Sequence, residues 1–140
     1  MARPMRLRGR GRTLVSQPDI RALSIGSAVG RLAIGMGIFA VPRRALSALG
    51  FGEVDEAGLT LARLAGARDV VLGISTLLAL DNGDRLRAAS LANAAADGGD
   101  ALSFALALGR TQPNPAARRG IAAALPASAA GLWVYWRLRA

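Results

Sequence analysis

Ala62-Arg63-Leu64-Ala65-Gly66-Ala67-Arg68-Asp69-Val70-Val71-Leu72-Gly73-Ile74 places an adjacent Arg–Asp pair in the middle of a segment that is otherwise small or greasy. A second stretch mirrors it: Asn93-Ala94-Ala95-Ala96-Asp97-Gly98-Gly99-Asp100, again flanked by Ala and Leu. A charge at the centre of an apolar helix is costly unless a neighbour of opposite sign answers it. The fold follows from that demand.

Reading outward, four apolar segments emerge. Residues 20–41 match the ~20 residues needed to cross a bilayer and stop at Pro42-Arg43-Arg44. Residues 59–80 form the second segment and end in the turn Asp81-Asn82-Gly83-Asp84. Residues 86–108 form the third, closed by Gly109, and residues 119–136 the fourth, with Pro126 as a kink site. Between the first two, residues 43–58 read as a polar loop or short interfacial helix, and residues 110–118 as a loop. The expected fold is all-α, a four-transmembrane-helix bundle over residues 19–140 behind a disordered basic tail, residues 1–18.

Composition agrees with this reading. The chain has 140 residues, room for one domain, with eighteen arginines, no lysine and a net charge of +9. It has neither cysteine nor histidine, so disulfides, thiolate nucleophiles and the commonest metal ligands are excluded. Ser27, Ser75, Ser90 and Ser103 have no base beside them, and Gly35-Met36-Gly37 lacks the strand and third glycine of a dinucleotide site. No enzyme activity, cofactor or metal is expected. Arg3, Arg6, Arg8, Arg10 and Arg12 fill the tail just before the first apolar segment. Anionic lipid therefore suits them better than nucleic acid, at roughly 1 kcal/mol per arginine. The long apolar stretch without a cleavage site reads as an uncleaved anchor rather than a signal peptide.

Arginine counting sets the topology. With the N-terminus inside, inner segments hold the tail arginines and Arg21, Arg85, Arg87, Arg137 and Arg139, against Arg43, Arg44, Arg110, Arg118 and Arg119 outside. The positive-inside rule then puts both ends in the cytoplasm of an inner-membrane, multi-pass protein. Trp133, Tyr135 and Trp136, followed by Arg137 and Arg139, are the expected interfacial anchors.

The objection is charge inside the spans. Nine large apolar residues in the second segment return about 3–5 kcal/mol, and Arg68 with Asp69 cost more than about 5. That segment should not insert alone. Depth supplies the partners: Arg31, Arg68, Asp69 and Asp97 each lie about 11 or 12 residues from the inner end of their helices, one layer at 1.5 Å per residue. Asp100 lies about 4.5 Å further out. Asn93, Asp97 and Asp100 share a face, with Arg68 and Arg31 as the expected partners of the two carboxylates. Arg68 and Asp69, about 100° apart on their helix, should find different neighbours. Arg63 either approaches Asp100 or snorkels outward. The alternative, a soluble helical bundle, expects these charges on its surface.

For helix packing, Gly26, Gly30, Ala33 and Gly37 form a small-residue stripe read as an intrachain contact, and Gly66 and Gly73 a second. Gly98-Gly99 is expected to mark a close helix approach, at about 1 kcal/mol per residue of helix propensity.

Gly66-Ala67-Arg68-Asp69-x-x-Leu72-Gly73 and Asp97-Gly98-Gly99-Asp100, on the second and third helices of a short Ala/Arg-rich chain, resemble uncharacterised small four-helix integral membrane proteins of actinobacteria. The resemblance spans residues 20–136. It implies a four-span fold and a high-GC bacterial source, and no catalytic residue or cofactor. The leading expectation is a structural or accessory subunit, assembled with itself or within a larger membrane complex through its Arg–Asp network. The alternative is a small proton- or ion-coupled carrier using Asp97 and Asp100. A membrane enzyme using either aspartate as acid–base comes last.

Overall fold

The computed structural model describes residues 18–108 and 115–139. Five helices follow in order: α1 (Pro18–Ala40), α2 (Pro42–Leu49), α3 (Glu56–Leu78), α4 (Gly83–Leu108) and α5 (Pro115–Arg137). The described residues contain no strand, so the chain is all-α. The basic tail expected over residues 1–18 lies outside the described residues apart from Pro18, as do residues 110–114 of the expected loop.

Each helix starts a few residues before its apolar segment, for local reasons. The side chain of Asp55 accepts from the backbone N–H of Gly58 at 2.8 Å and so caps α3, with Glu56 in the first turn where the helix dipole favours an acid. Asn82 Oδ1 accepts from the Arg85 N–H at 3.0 Å at the start of α4. α5 opens on Pro115, whose missing N–H costs nothing at a first helical position. Where a loop or interfacial helix was expected, α2 forms, started by Pro42 and stopped by Gly50 at φ 91°. A side chain is strained at that angle.

α1 and α3 run antiparallel and pack along their length, as do α4 and α5; the two pairs meet more narrowly, chiefly between α3 and α4. The α1–α3 seam is nearly bare backbone. A Cβ on Gly66 would stand 2.6 Å from the Gly35 carbonyl oxygen, and one on Gly35 2.6 Å from that of Gly66. A Cβ on Gly73 would meet the Ala28 carbonyl at 2.9 Å.

The expected stripe on α1 is displaced. Gly26, Gly30 and Gly37 have nothing within 4 Å of a Cβ position, and the buried face of α1 is instead Ile20, Ser24, Ala28, Arg31 and Gly35. Arg31 decides this rotation: its partners lie on α3 and α4, and Ala28 and Gly35, at i−3 and i+4, follow it to that side. Gly98-Gly99 is corrected as well. α4 runs unbroken through both; a Cβ on Gly98 would lie an ordinary 3.5 Å from Ser128 Oγ, and one on Gly99 would meet nothing. Close approach falls elsewhere on this pair, at Gly131, where a Cβ would meet the Ser90 carbonyl at 3.0 Å. α5 likewise continues through Pro126.

One end of the bundle is filled. Ile20, Ala79, Leu80, Leu86 and Val134 form a cluster where α1, α3, α4 and α5 converge. Elsewhere the usual arrangement is inverted. The buried polar set is Ser24, Arg31, Thr76, Ser90, Asn93 and Asp97, whereas Met36, Leu64, Val71, Leu78, Leu102 and Leu106 are all more than half exposed. Soluble helices turn such residues inward.

Of the described helices, α1 is the one long and apolar enough to cross a membrane by composition alone. The other three long helices do not reach that level: α3 and α4 carry mid-helix charges and α5 is built largely from small residues.

Candidate functional site

The mid-bundle charges meet in one row. Arg31 on α1 donates through Nη1 to Asp69 Oδ1 at 3.0 Å and through Nη2 to Asp97 Oδ2 at 2.5 Å. It therefore ties α1 to both α3 and α4. Arg68 grips Asp100 with both terminal nitrogens, Nη1 to Oδ1 at 3.0 Å and Nη2 to Oδ2 at 2.6 Å. This fork-to-fork pairing is the strong form of the contact. Arg68 Nη2 also reaches Asp69 Oδ1 at 3.3 Å, so one oxygen of Asp69 joins both arginines. The row reads Asp100–Arg68–Asp69–Arg31–Asp97.

Of the two arginines expected to face the carboxylates, Arg31 takes Asp97 and Arg68 takes Asp100. Of the two courses open to Arg63, the outward one is observed: it is exposed and forms no ion pair with Asp100. Arg68 and Asp69 take different neighbours on other helices and also touch each other. The two ends of the row differ in access. Arg31 and Asp97 keep 9% and 11% of their side-chain surface, Arg68 and Asp100 38% and 36%.

Below the row the polar face continues. Asn93 Nδ2 donates to Thr76 Oγ1 at 2.9 Å, and the Thr76 hydroxyl donates to the Leu72 carbonyl at 2.8 Å. Ser24 Oγ and Asn93 Oδ1 are buried without a partner, and both residues line a void of about 30 Å³ with Thr76 and Ser90. A void of this size and polarity accommodates a water. Above the row, a cavity of about 650 Å³ opens between the helix pairs, floored by Arg31, Arg68, Asp69, Asp97 and Asp100. Gly26 and Gly30 line this cavity instead of a helix contact.

Sequence reasoning missed Ser24, Thr76 and Gly35. Heptad extension from the charges finds two of them, since Ser24 is seven residues before Arg31 and Thr76 seven after Asp69. The cavity has no such sequence signal, because it lies between helices that are distant along the chain.

At the filled end, Arg87 Nη2 donates to the Tyr135 hydroxyl at 3.2 Å, and its guanidinium stands 4.7 Å from the ring centroid. Arg139 lies 4.6 Å from Trp136 and Arg137 5.5 Å from Trp133. The three aromatics thus form an arginine-clad collar. Among the described residues no group of three His, Cys, Asp or Glu side chains is placed to hold a metal ion. No family model, curated protein or solved structure matches the chain.

Proposed function

We propose that the chain is a multi-pass inner-membrane protein in which α1, α3, α4 and α5 cross the bilayer together, with both termini in the cytoplasm. It serves there as a structural or accessory subunit, its helix pairs locked by the Arg–Asp row, alone in copies of itself or within a larger complex. One observation carries the reading: the mid-bundle charges Arg31 and Asp97 and their polar neighbours are buried, while large apolar side chains on the same helices face outward. Lipid tolerates exposed leucines at no cost and demands that mid-helix charges face inward and pair. A soluble bundle would place those charges and leucines the other way round. Insertion as a packed unit explains how α3 crosses although its own charges forbid it to enter alone. The two motifs around Arg68 and Asp97 support kinship with small four-helix membrane proteins of actinobacteria, and the collar at Trp133, Tyr135 and Trp136 suits the inner interface. The Arg-rich tail would add anionic-lipid binding on the same side.

The absence of cysteine makes the test direct. Single cysteines at Ser47 on α2 and Asp84 in the first turn of α4 report the two faces. In intact cells a membrane-impermeant maleimide should label Ser47→Cys alone, with Asp84→Cys reacting only after permeabilisation. Recovery in the aqueous fraction, or the opposite labelling, refutes the topology.

The cavity favours a second reading, a small proton- or ion-coupled carrier, because it brings open space to Asp97 and Asp100. An accessory role registers Asp97→Asn as failed assembly, whereas a carrier registers it as a stable protein without flux. Neither reading calls for catalysis.

A further inference from the structure

We infer that the cavity between the helix pairs is a binding site for a monovalent organic cation, a protonated amine carrying an apolar body. The inference rests on the four-helix packing proposed above and applies whether the protein scaffolds or transports.

Charge is the first argument. The row sets two guanidiniums, Arg31 and Arg68, against three carboxylates, Asp69, Asp97 and Asp100, one acid in excess. The remaining charged group on the lining, Arg119, is exposed at the mouth and bound to the Ala48 carbonyl at 3.4 Å. Water screens it there.

Hydrogen-bond capacity is the second. Arg31 and Arg68 occupy Asp69 Oδ1, Asp97 Oδ2 and both oxygens of Asp100. Asp69 Oδ2 and Asp97 Oδ1 receive no hydrogen bond among the described residues, and neither is a sealed, unpartnered atom. Both residues line the cavity, and these oxygens are the acceptors they have left for a guest. An ammonium supplies N–H donors to both and the missing positive charge. An anion meets a floor that is already negative, and a neutral guest leaves the charge unanswered.

Shape is the third. About 650 Å³ is the volume of a site for a small organic molecule. The walls are Ile34, Ile38, Leu46 and Leu61, with Phe51 and Phe104 near the mouth at a centroid separation of 6.4 Å. An apolar body fits against these, its charged end down.

The test uses the full chain in lipid nanodiscs near neutral pH. Three naphthalene probes share a body and differ in charge: 2-(1-naphthyl)ethylamine, 2-(1-naphthyl)ethanol and 1-naphthylacetate, each titrated calorimetrically. The amine should bind saturably, with the alcohol and carboxylate at least about tenfold weaker. Gly30→Leu projects into the open space beside α1 and should weaken the amine at least about tenfold with thermal unfolding unchanged. Asp97→Asn, which cancels the surplus charge, should also weaken the amine at least about tenfold. If Asp97→Asn fails to fold, Gly30→Leu decides alone. No saturable amine binding, equal binding of the alcohol, or an unaffected Gly30→Leu overturns the site. Circular dichroism of the same samples shows whether the bundle is intact, so loss of the site and loss of the fold are told apart.

Discussion

Arg31→Leu should lower the unfolding temperature sharply and cut the amount of folded protein. Among the described residues, Arg31 is the one side chain that ties α1 to both α3 and α4 through ion pairs, by way of Asp69 and Asp97. Its removal strands the buried Asp97 carboxylate without a counter-charge, and breaking a buried pair in this way costs about 3–5 kcal/mol, against a total stability of about 5–15 for a typical domain. Adding Asp97→Leu should recover most of the loss, because it removes the stranded acid and restores the wild-type charge count. Asp97→Asn alone should be milder, since Arg31 keeps Asp69. Thermal unfolding of the four proteins in nanodiscs, with the amount recovered from membranes, measures this. A single Arg31→Leu variant as stable as wild type would mean the row holds nothing together.

Gly66→Leu should separate α1 from α3. The helices touch backbone to backbone at Gly35 and Gly66, so even one added carbon falls 2.6 Å from a carbonyl oxygen that cannot swing aside. Gly66→Ala should cost about 1–3 kcal/mol, the range for overpacking a tight interior, and leucine considerably more. The contrast lies on the same helix pair: Gly26→Ala and Gly37→Ala meet open space and should be neutral or slightly stabilising, because alanine is the better helix former. Unfolding temperatures across this set provide the check. Equal losses at Gly66 and Gly26 would contradict the observed rotation of α1.

Both expectations trace to α1, where sequence and structure part. Helix existence was legible because apolar runs ended at Pro42, at Asp81–Asp84 and at Gly109, each a local stop in the sequence. Gly66 and Gly73 were legible as a packing edge because they repeat at seven residues beside the charged pair. The stripe Gly26, Gly30 and Gly37 looked equally good, and small residues on two faces of one helix give composition no means of choosing between them. Likewise the cavity arises from α1–α3 and α4–α5 packing as separate pairs, a choice no single helix records.

By itself the sequence determined that this chain is helical, that Arg31, Arg68, Asp69 and Asp97 fall near the middle of their helices, and that they need one another. Those facts depend only on spacing along each helix and on the cost of an isolated charge. Tertiary structure alone decided who pairs with whom, which way α1 turns, and that the row floors a cavity. Each of these depends on how helices rotate against one another, a freedom settled only when guanidiniums and carboxylates from three helices meet.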